Sequence, residues 1–284
     1  MFDLRSFDVQ QRLNSLTKYP SIPTFHEVDA KTGMLDGSKP VDFGGQLVSV
    51  TEKIDGTNAR IIVFPNKRFV IGSRENLLAC NRDWILNPEF GIVKELWDTA
   101  SDLASQASLE DLFVRVYFFE VYGGRVGQEW KSYNKSGETF GHRMFDVIEL
   151  SDELTTELMS QPREHIASWR QHGGQPFVGW DRMLEIAQEA NLQRVPTIEH
   201  RIDPRGIAFD GLQHTLTTLE GWFPGGSEAV LESGAQNRPE GVVFKSLNNP
   251  RVTAKLRFQD YRGTIRRLEA AKLKEAARAM RDVE

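Results

Sequence analysis

Short apolar runs alternate with polar positions over much of this chain and break at turn residues. Residues 46–53, 58–64, 68–73, 112–122, 143–150, 240–247 and 251–258 are rich in β-branched or aromatic side chains and are bounded by Gly, Asn, Asp or Pro, so each predicts a strand. Apolar spacing of helical period predicts helices over 87–105, 152–171, 180–190 and 261–281. The segment 19–45 is rich in Pro, Gly and Asp and predicts loops with little regular structure. The strands come in clusters and do not alternate strictly with helices. That pattern favours an α+β fold on antiparallel sheets over a doubly wound parallel one. The chain has no internal repeat, low-complexity tract or long flexible linker.

Composition narrows the class. With 284 residues, 39% hydrophobic and 10% aromatic, the chain can bury a substantial core, as one large domain or one domain with a small appendage. The single cysteine, Cys80, excludes an internal disulfide and a cysteine-rich zinc site. The six histidines, His26, His142, His165, His172, His200 and His214, show no metal-ligand spacing and read as structural or exposed. The N-terminal residues lack the apolar core of a signal peptide, and no apolar run reaches membrane-spanning length. The expectation is a soluble, cytoplasmic protein. There is no GxxxxGK[ST] loop, so this is not a P-loop enzyme.

The net charge of −5 speaks against a uniform polyanion-binding surface, but the charge is uneven. Residues 251–284 carry ten Lys/Arg against five Asp/Glu, a local +5 that leaves −10 on the rest. The basic end reads either as a solvated helix or as a nucleic-acid contact.

Four predicted strands carry polar groups that a core does not need. In "TEKIDGTN", period-two alternation puts Thr51, Lys53 and Asp55 on one face, with Val48, Val50 and Glu52 on the other, and Gly56 permits a tight turn. In "VRVYFFEVYGG", Glu120 ends a stripe formed by Val114, Val116 and Phe118, and a buried acid needs a partner or a purpose. In "RPEGVVFKS", Glu240 precedes a glycine and an apolar strand. In "RVTAKLRF", Lys255 and Arg257 point the same way, roughly 7 Å apart, and repel each other unless an anion sits between them. Singly, each has a bland reading: a solvated lysine, a satisfied core acid, a turn residue, a charge-protected edge strand. Together a lysine, two carboxylates and a cation pair are what nucleotidyl transfer requires. The lysine attacks the α-phosphorus, the acids hold a metal or the ribose, and the cations stabilise charge on the phosphate. To attack, a lysine must lose its proton, which costs roughly 4–5 kcal/mol at pH 7 from an ordinary pKa of about 10.4. A divalent cation and a second lysine nearby would both lower that cost.

The motifs resemble those of the covalent nucleotidyltransferases, a superfamily of ATP-dependent DNA and RNA ligases and mRNA capping enzymes. Within it the chain looks like the RNA ligases, in particular the nick-sealing, type 2 branch. Lys53-Ile54-Asp55-Gly56 matches the nucleophile motif K-x-D-G, and Asn58 stands where DNA ligases and capping enzymes usually carry arginine. "IGSRE", "FFEVYGG", "MFDVIEL", "EGVVFK" and "AKLR" follow in the family's order. The resemblance implies a fold of two antiparallel sheets with flanking helices and the nucleotide in the cleft between. It implies Lys53 as the adenylylated nucleophile and Glu52 as an adenine contact, although alternation turns Glu52 away from Lys53 unless the strand twists or bulges there. It further implies Asn58 and Arg74 at the phosphate and ribose, Glu120 on the ribose hydroxyls and Phe145 stacked on adenine. Glu240 would hold Mg²⁺ or Mn²⁺, and Lys255 and Arg257 would grip the α-phosphate; the family often has lysine at the second of these positions. Asp55 would orient the lysine or a metal-bound water. Arg60 and Lys245 receive no role, and Lys245 is expected on the opposite strand face from Glu240.

The implied activity is ATP-dependent joining of RNA 3′-OH and 5′-phosphate ends through a lysyl-AMP and an adenylylated 5′ end. The expected organisation is a loop-rich extension over 1–45 packed on a nucleotidyltransferase domain over 46–258, then a short basic helix over 259–284. Only 27 residues follow Arg257, too few for an OB-fold or a helical C-terminal domain. Self-adenylylation is therefore the best supported step. Docking of the expected substrate, RNA or a nicked RNA-containing duplex, falls to the basic helix or to a partner protein. A small DNA ligase, a capping-type guanylyltransferase and a non-catalytic nucleic-acid-binding module of the same fold are the competing readings.

Overall fold

The computed structural model describes residues 3–81, 91–208 and 211–281, and among them every strand ladder is antiparallel, as the clustering of strands predicts. The elements begin with α1 (Phe7–Thr17), β1 (His26–Val28), β2 (Leu35–Pro40), β3 (Val48–Lys53), β4 (Thr57–Val63), β5 (Phe69–Ser73) and β6 (Leu77–Cys80). Next come α2 (Ile92–Gln106), β7 (Phe113–Gly123), β8 (Phe140–Ser151), α3 (Asp152–Met159), α4 (Arg163–Gln171) and α5 (Trp180–Glu189). The chain continues with β9 (Thr197–Ile202), α6 (Arg205–Ala208), α7 (Gly211–Gly221), β10 (Gly241–Ser246), β11 (Thr253–Arg257) and α8 (Phe258–Arg281). They sort into two compact units. One comprises 1–21, 54–195 and 229–238, and the other 22–53, 196–228 and 239–284.

The first unit is built on a five-stranded sheet in the order β6-β5-β4-β7-β8. One face presents Ile62, Val70, Val116, Phe118 and Ile148, which bury against Leu13 and Leu16 of α1, Leu158 and Met159 of α3 and Ile166 of α4. Helix α2 buries Ile92, Leu96, Ala100 and Leu103, a spacing that makes one helical stripe, and packs on β4 and β5. The helix predicted over 152–171 is two helices, because Pro162 lies between them; proline lacks the N–H and disfavours a helical residue before it. The predicted start of α2 at 87 lies outside the described residues.

A buried arginine fastens α1 to this sheet. Arg60 on β4 is fully buried and donates to Thr17 Oγ1 at 3.1 Å, to Asn14 Oδ1 and to the Ser73 carbonyl. Burial first, and the neighbouring Arg170 second, push its guanidinium down to about 9, so it stays charged at neutral pH. Arg170 donates to the Ser15 carbonyl, and Gln175 Nε2 to those of Leu16 and Lys18. These donors meet the orphaned carbonyls and the negative dipole end of the helix, which offsets the cost of burying the charge.

The second unit carries a four-stranded sheet in the order β11-β10-β3-β9. Val48, Val50, Val242, Phe244, Ala254 and Leu256 share its buried face and pack with Phe25, Leu35, Leu216 and Leu219, and with Phe258 and Tyr261 of α8. β1 and β2 form a small antiparallel pair, with Val28 opposite Leu35, where the sequence predicts only loops. Gly37, Ser38 and Pro40 mask the strand pattern there, yet Thr264 Oγ1 of α8 accepts from the Leu35 amide at 3.1 Å and buried His26 meets the Tyr261 hydroxyl at 2.7 Å.

Replacing Arg60 with Met should remove three donors and take from Asn14 Oδ1 and the Ser73 carbonyl the partner each has in the core. The expected loss is about 3 kcal/mol, read as a lowered urea midpoint for the first unit.

Candidate active site

The nucleophile candidate stands on the face of the second unit's sheet opposite its apolar core. β3 pairs with β10 so that Lys53 lies opposite Gly241 and Thr51 opposite Val243; β10 in turn sets Arg257 opposite Gly241 and Lys255 opposite Val243. Side chains at laterally paired positions share a face. Lys53, Lys255 and Arg257 therefore project together, while Val48, Val50 and Glu52 turn into the core. Lys53 Nζ donates to Glu240 Oε2 at 2.5 Å, with the two side chains 24% and 16% exposed. Glu240 reaches it because Gly241 follows. A side chain at Gly241, whose φ is +157°, would put its Cβ 1.9 Å from the Leu256 carbonyl oxygen.

The cation pair is not symmetrical. Arg257 makes a bidentate contact to Asp260 at 2.8 and 2.9 Å. Lys255 has its ammonium pushed below the usual range, by burial first, then by Arg257 and Lys53. β11 is not an open edge at this point, because the Lys255 amide and carbonyl bond to Pro23 and Phe25. The register also corrects one expectation. Lys245 pairs with Ser49 and lies on the same face as Lys53. Glu240 precedes the strand, so its alternation does not set its direction.

Glu52 is 1% exposed, and its carboxylate accepts from the Ser227 hydroxyl and from the Glu228 amide at 3.0 Å. The strand keeps its alternation, so Glu52 stays on the face opposite Lys53. In this structure Glu52 pins the 227–228 turn.

The remaining motif residues belong to the first unit. Asp55 Oδ2 accepts from the Glu129 amide at 2.7 Å, and the Asp55 amide donates to the Tyr133 hydroxyl at 2.7 Å. The Gly56 amide donates to Glu120 Oε1 at 3.1 Å, and a Cβ at Gly56 would lie 2.4 Å from the Val121 carbonyl oxygen. Asn58 on β4 stands directly opposite Glu120 on β7, and Glu120 opposite Arg143 on β8. Asn58 Oδ1 is buried without a hydrogen-bond partner, an acceptor suited to a ligand donor. Phe145 is half-buried and packs edge-on to Tyr19, with ring centroids 5.0 Å apart. Arg74 is exposed in the turn after β5, with Glu75 at 3.7 Å.

Alternation alone did not reveal a support behind Asp55. Tyr133 is fully buried, and its carbonyl accepts from the Leu231 and Glu232 amides. Glu232 accepts from the hydroxyls of Ser136 and Thr139 and the amides of Lys135 and Ser136. Nothing local in the sequence pairs residues almost a hundred positions apart.

Among the described residues no three His, Cys, Asp or Glu side chains form a metal cage, and no helix is long and apolar enough to cross a membrane. A lone carboxylate such as Glu240 suits Mg²⁺ or Mn²⁺, which commonly take one or two carboxylates and complete their shell with substrate phosphates and water.

In the second unit these features define a polar, lysine-centred face on an antiparallel sheet. The RNA ligase family model matches residues 46–257, and the chain belongs to the RNA ligase family. No curated protein sequence matches it. Among solved structures it is similar to Naegleria gruberi RNA ligase. A mutant with ATP and Mn gives 15% identity and a TM-score of 0.46, covering 76% of this chain and 50% of that one. A mutant with AMP and Mn gives 13% identity and a TM-score of 0.48, covering 87% and 62%. The chain thus spans about half to three fifths of the length of those proteins.

The donors around Glu232 hold its carboxyl down to about 2, through the Ser136 hydroxyl first, then the Thr139 hydroxyl and the backbone amides. Its ordinary value in an unfolded chain is about 4.5. The stabilisation is therefore complete above about pH 4.5 and is lost as pH falls toward 2. Glu232→Gln should lower stability at pH 7 and flatten the acid-unfolding profile between those values, read by fluorescence of the first unit.

Proposed function

We propose that this protein is an ATP-dependent RNA ligase of the cytoplasm that works through a lysyl-AMP at Lys53. The observation that carries the reading is the shared face of Lys53, Lys255 and Arg257, with Glu240 on the lysine nitrogen. The family match across the same strands supports it.

In the proposed reaction the Lys53 Nζ lone pair attacks the α-phosphorus of ATP. A P–N bond forms, the bond to the pyrophosphate oxygen breaks so that pyrophosphate leaves, and the Nζ proton passes to solvent water. Lys255 and Arg257 stabilise the charge that grows on the α-phosphate oxygens. Glu240 would hold a divalent cation, which supplies charge neutralisation on the triphosphate and orientation of the leaving pyrophosphate. Phe145 offers a ring for adenine, while Asn58, Glu120 and Arg74 offer polar contacts to ribose and phosphate. Asp55, held by Glu129 and Tyr133, acts as a positioning residue for the K-x-D-G turn. AMP then passes to a 5′-phosphate, and a 3′-OH displaces it to seal RNA ends, as RNA repair requires.

Labelled ATP with Mg²⁺ should give one covalent AMP adduct, mapped to Lys53, with GTP much poorer. Lys53→Ala should give none, and Lys255→Ala should slow labelling about 100-fold. An adduct on another lysine, or equal labelling by GTP, would overturn the assignment. Sealing of a nicked duplex with an RNA 3′-OH strand, compared with a DNA strand, tests the later steps.

A further inference from the structure

Helix α8 continues directly from β11, the strand that carries Lys255 and Arg257. Its first two turns are anchored: Tyr261 and Thr264 are buried and Ile265 packs on the core. From Arg266 to Met280 every described side chain is exposed, on all sides of the helix. A run of that length has little reason to remain helical in water unless something covers it.

The exposed part has two different faces. Arg267, Lys274 and Arg278 are spaced by seven and four residues, which places them within about 40° of one another and spans about 16 Å of axis. Between them on that stripe stand only Ala270 and Ala271, so the long side chains are unobstructed. Glu269 lies across the helix and Glu275 about 80° round, so no carboxylate shares the stripe. The second face offers Leu273 and Met280, 72% and 73% exposed, separated by alanines. Two large residues over roughly two heptads fall short of the three to four needed for a stable coiled coil with a second copy.

We infer that the Arg267–Lys274–Arg278 stripe of α8 is a docking surface for the phosphate backbone of RNA. The inference rests on the ligase reading, and charge complementarity carries it: residues 251–284 are net +5 on a chain that is −10 elsewhere. Such contacts position a duplex without reading its sequence, and each adds to the salt dependence of binding. Arg267 also donates to the Thr32 carbonyl at 3.3 Å, so the test spares it.

The experiment measures anisotropy of a labelled, nicked RNA duplex against the full chain across a KCl series. K274E/R278E should weaken binding at least tenfold at low salt and reduce the log–log salt slope by about 1.5–2. L273A/M280A should bind like the parent. Equal binding by K274E/R278E and parent at every salt concentration would overturn the inference. So would loss of binding in L273A/M280A together with concentration-dependent dimerisation of the parent by sedimentation, which assigns the helix to a second copy. Labelling of the parent with ATP is read separately. A parent that binds RNA through α8 but never labels would sink the ligase reading and leave this one standing.

Discussion

The antiparallel register that sets Lys53 opposite Gly241 governs the lysine site in its sheet. Strand periodicity is two, so a slip of one residue would turn Lys53 into the core and Glu52 out of it. The force that prevents the slip is apolar. Val48, Val50, Val242, Phe244, Ala254 and Leu256 are each at most 1% exposed on the buried face, and a fully buried large aliphatic or aromatic side chain contributes about 1.5–3 kcal/mol. The Lys53–Glu240 contact is partly solvated and is worth roughly 1 kcal/mol or less. Packing therefore holds the lysine in place, and the ion pair only orients its nitrogen.

Two glycines let acids approach where a Cβ would collide. At Gly241 the obstacle is the Leu256 carbonyl, and at Gly56 it is the Val121 carbonyl. The first lets the chain turn so that Glu240 meets Lys53, and the second lets the Gly56 amide bond to Glu120. The D-G and E-G pairs are thus backbone requirements as much as chemical ones, because any larger residue would push a neighbouring strand away.

Much of this was legible in the sequence. The core strands and the facing of Lys53 against Glu52 follow from alternation, the antiparallel arrangement follows from the clustering of strands, and the structure places them so. β9, "TIEHRI", escaped because it is a charged edge strand with almost no buried face to leave a pattern. β1 and β2 escaped because their pairing is specified by contacts to α8, some 230 residues away. The facing of Lys245 was misjudged by extending strand alternation to Glu240, which lies one residue outside the strand. The Tyr133–Glu232 support of Asp55 had no local signal, since its partners meet only after folding.

The unequal cations on β11 divide the work proposed for them. Arg257 is held by a carboxylate, Asp260, in a two-point geometry that an incoming phosphate would have to share or displace. Lys255 has its charge disfavoured in the resting site by burial and by two neighbouring cations. A phosphate beside it would relieve that cost, so Lys255 gains more from the ligand than a solvated lysine would. Electrostatic stabilisation is strongest where the charged group is already oriented and desolvated before the ligand arrives. On that ground the proposed α-phosphate contact falls first to Lys255 and second to Arg257, whose pairing with Asp260 ties the end of β11 to the start of α8.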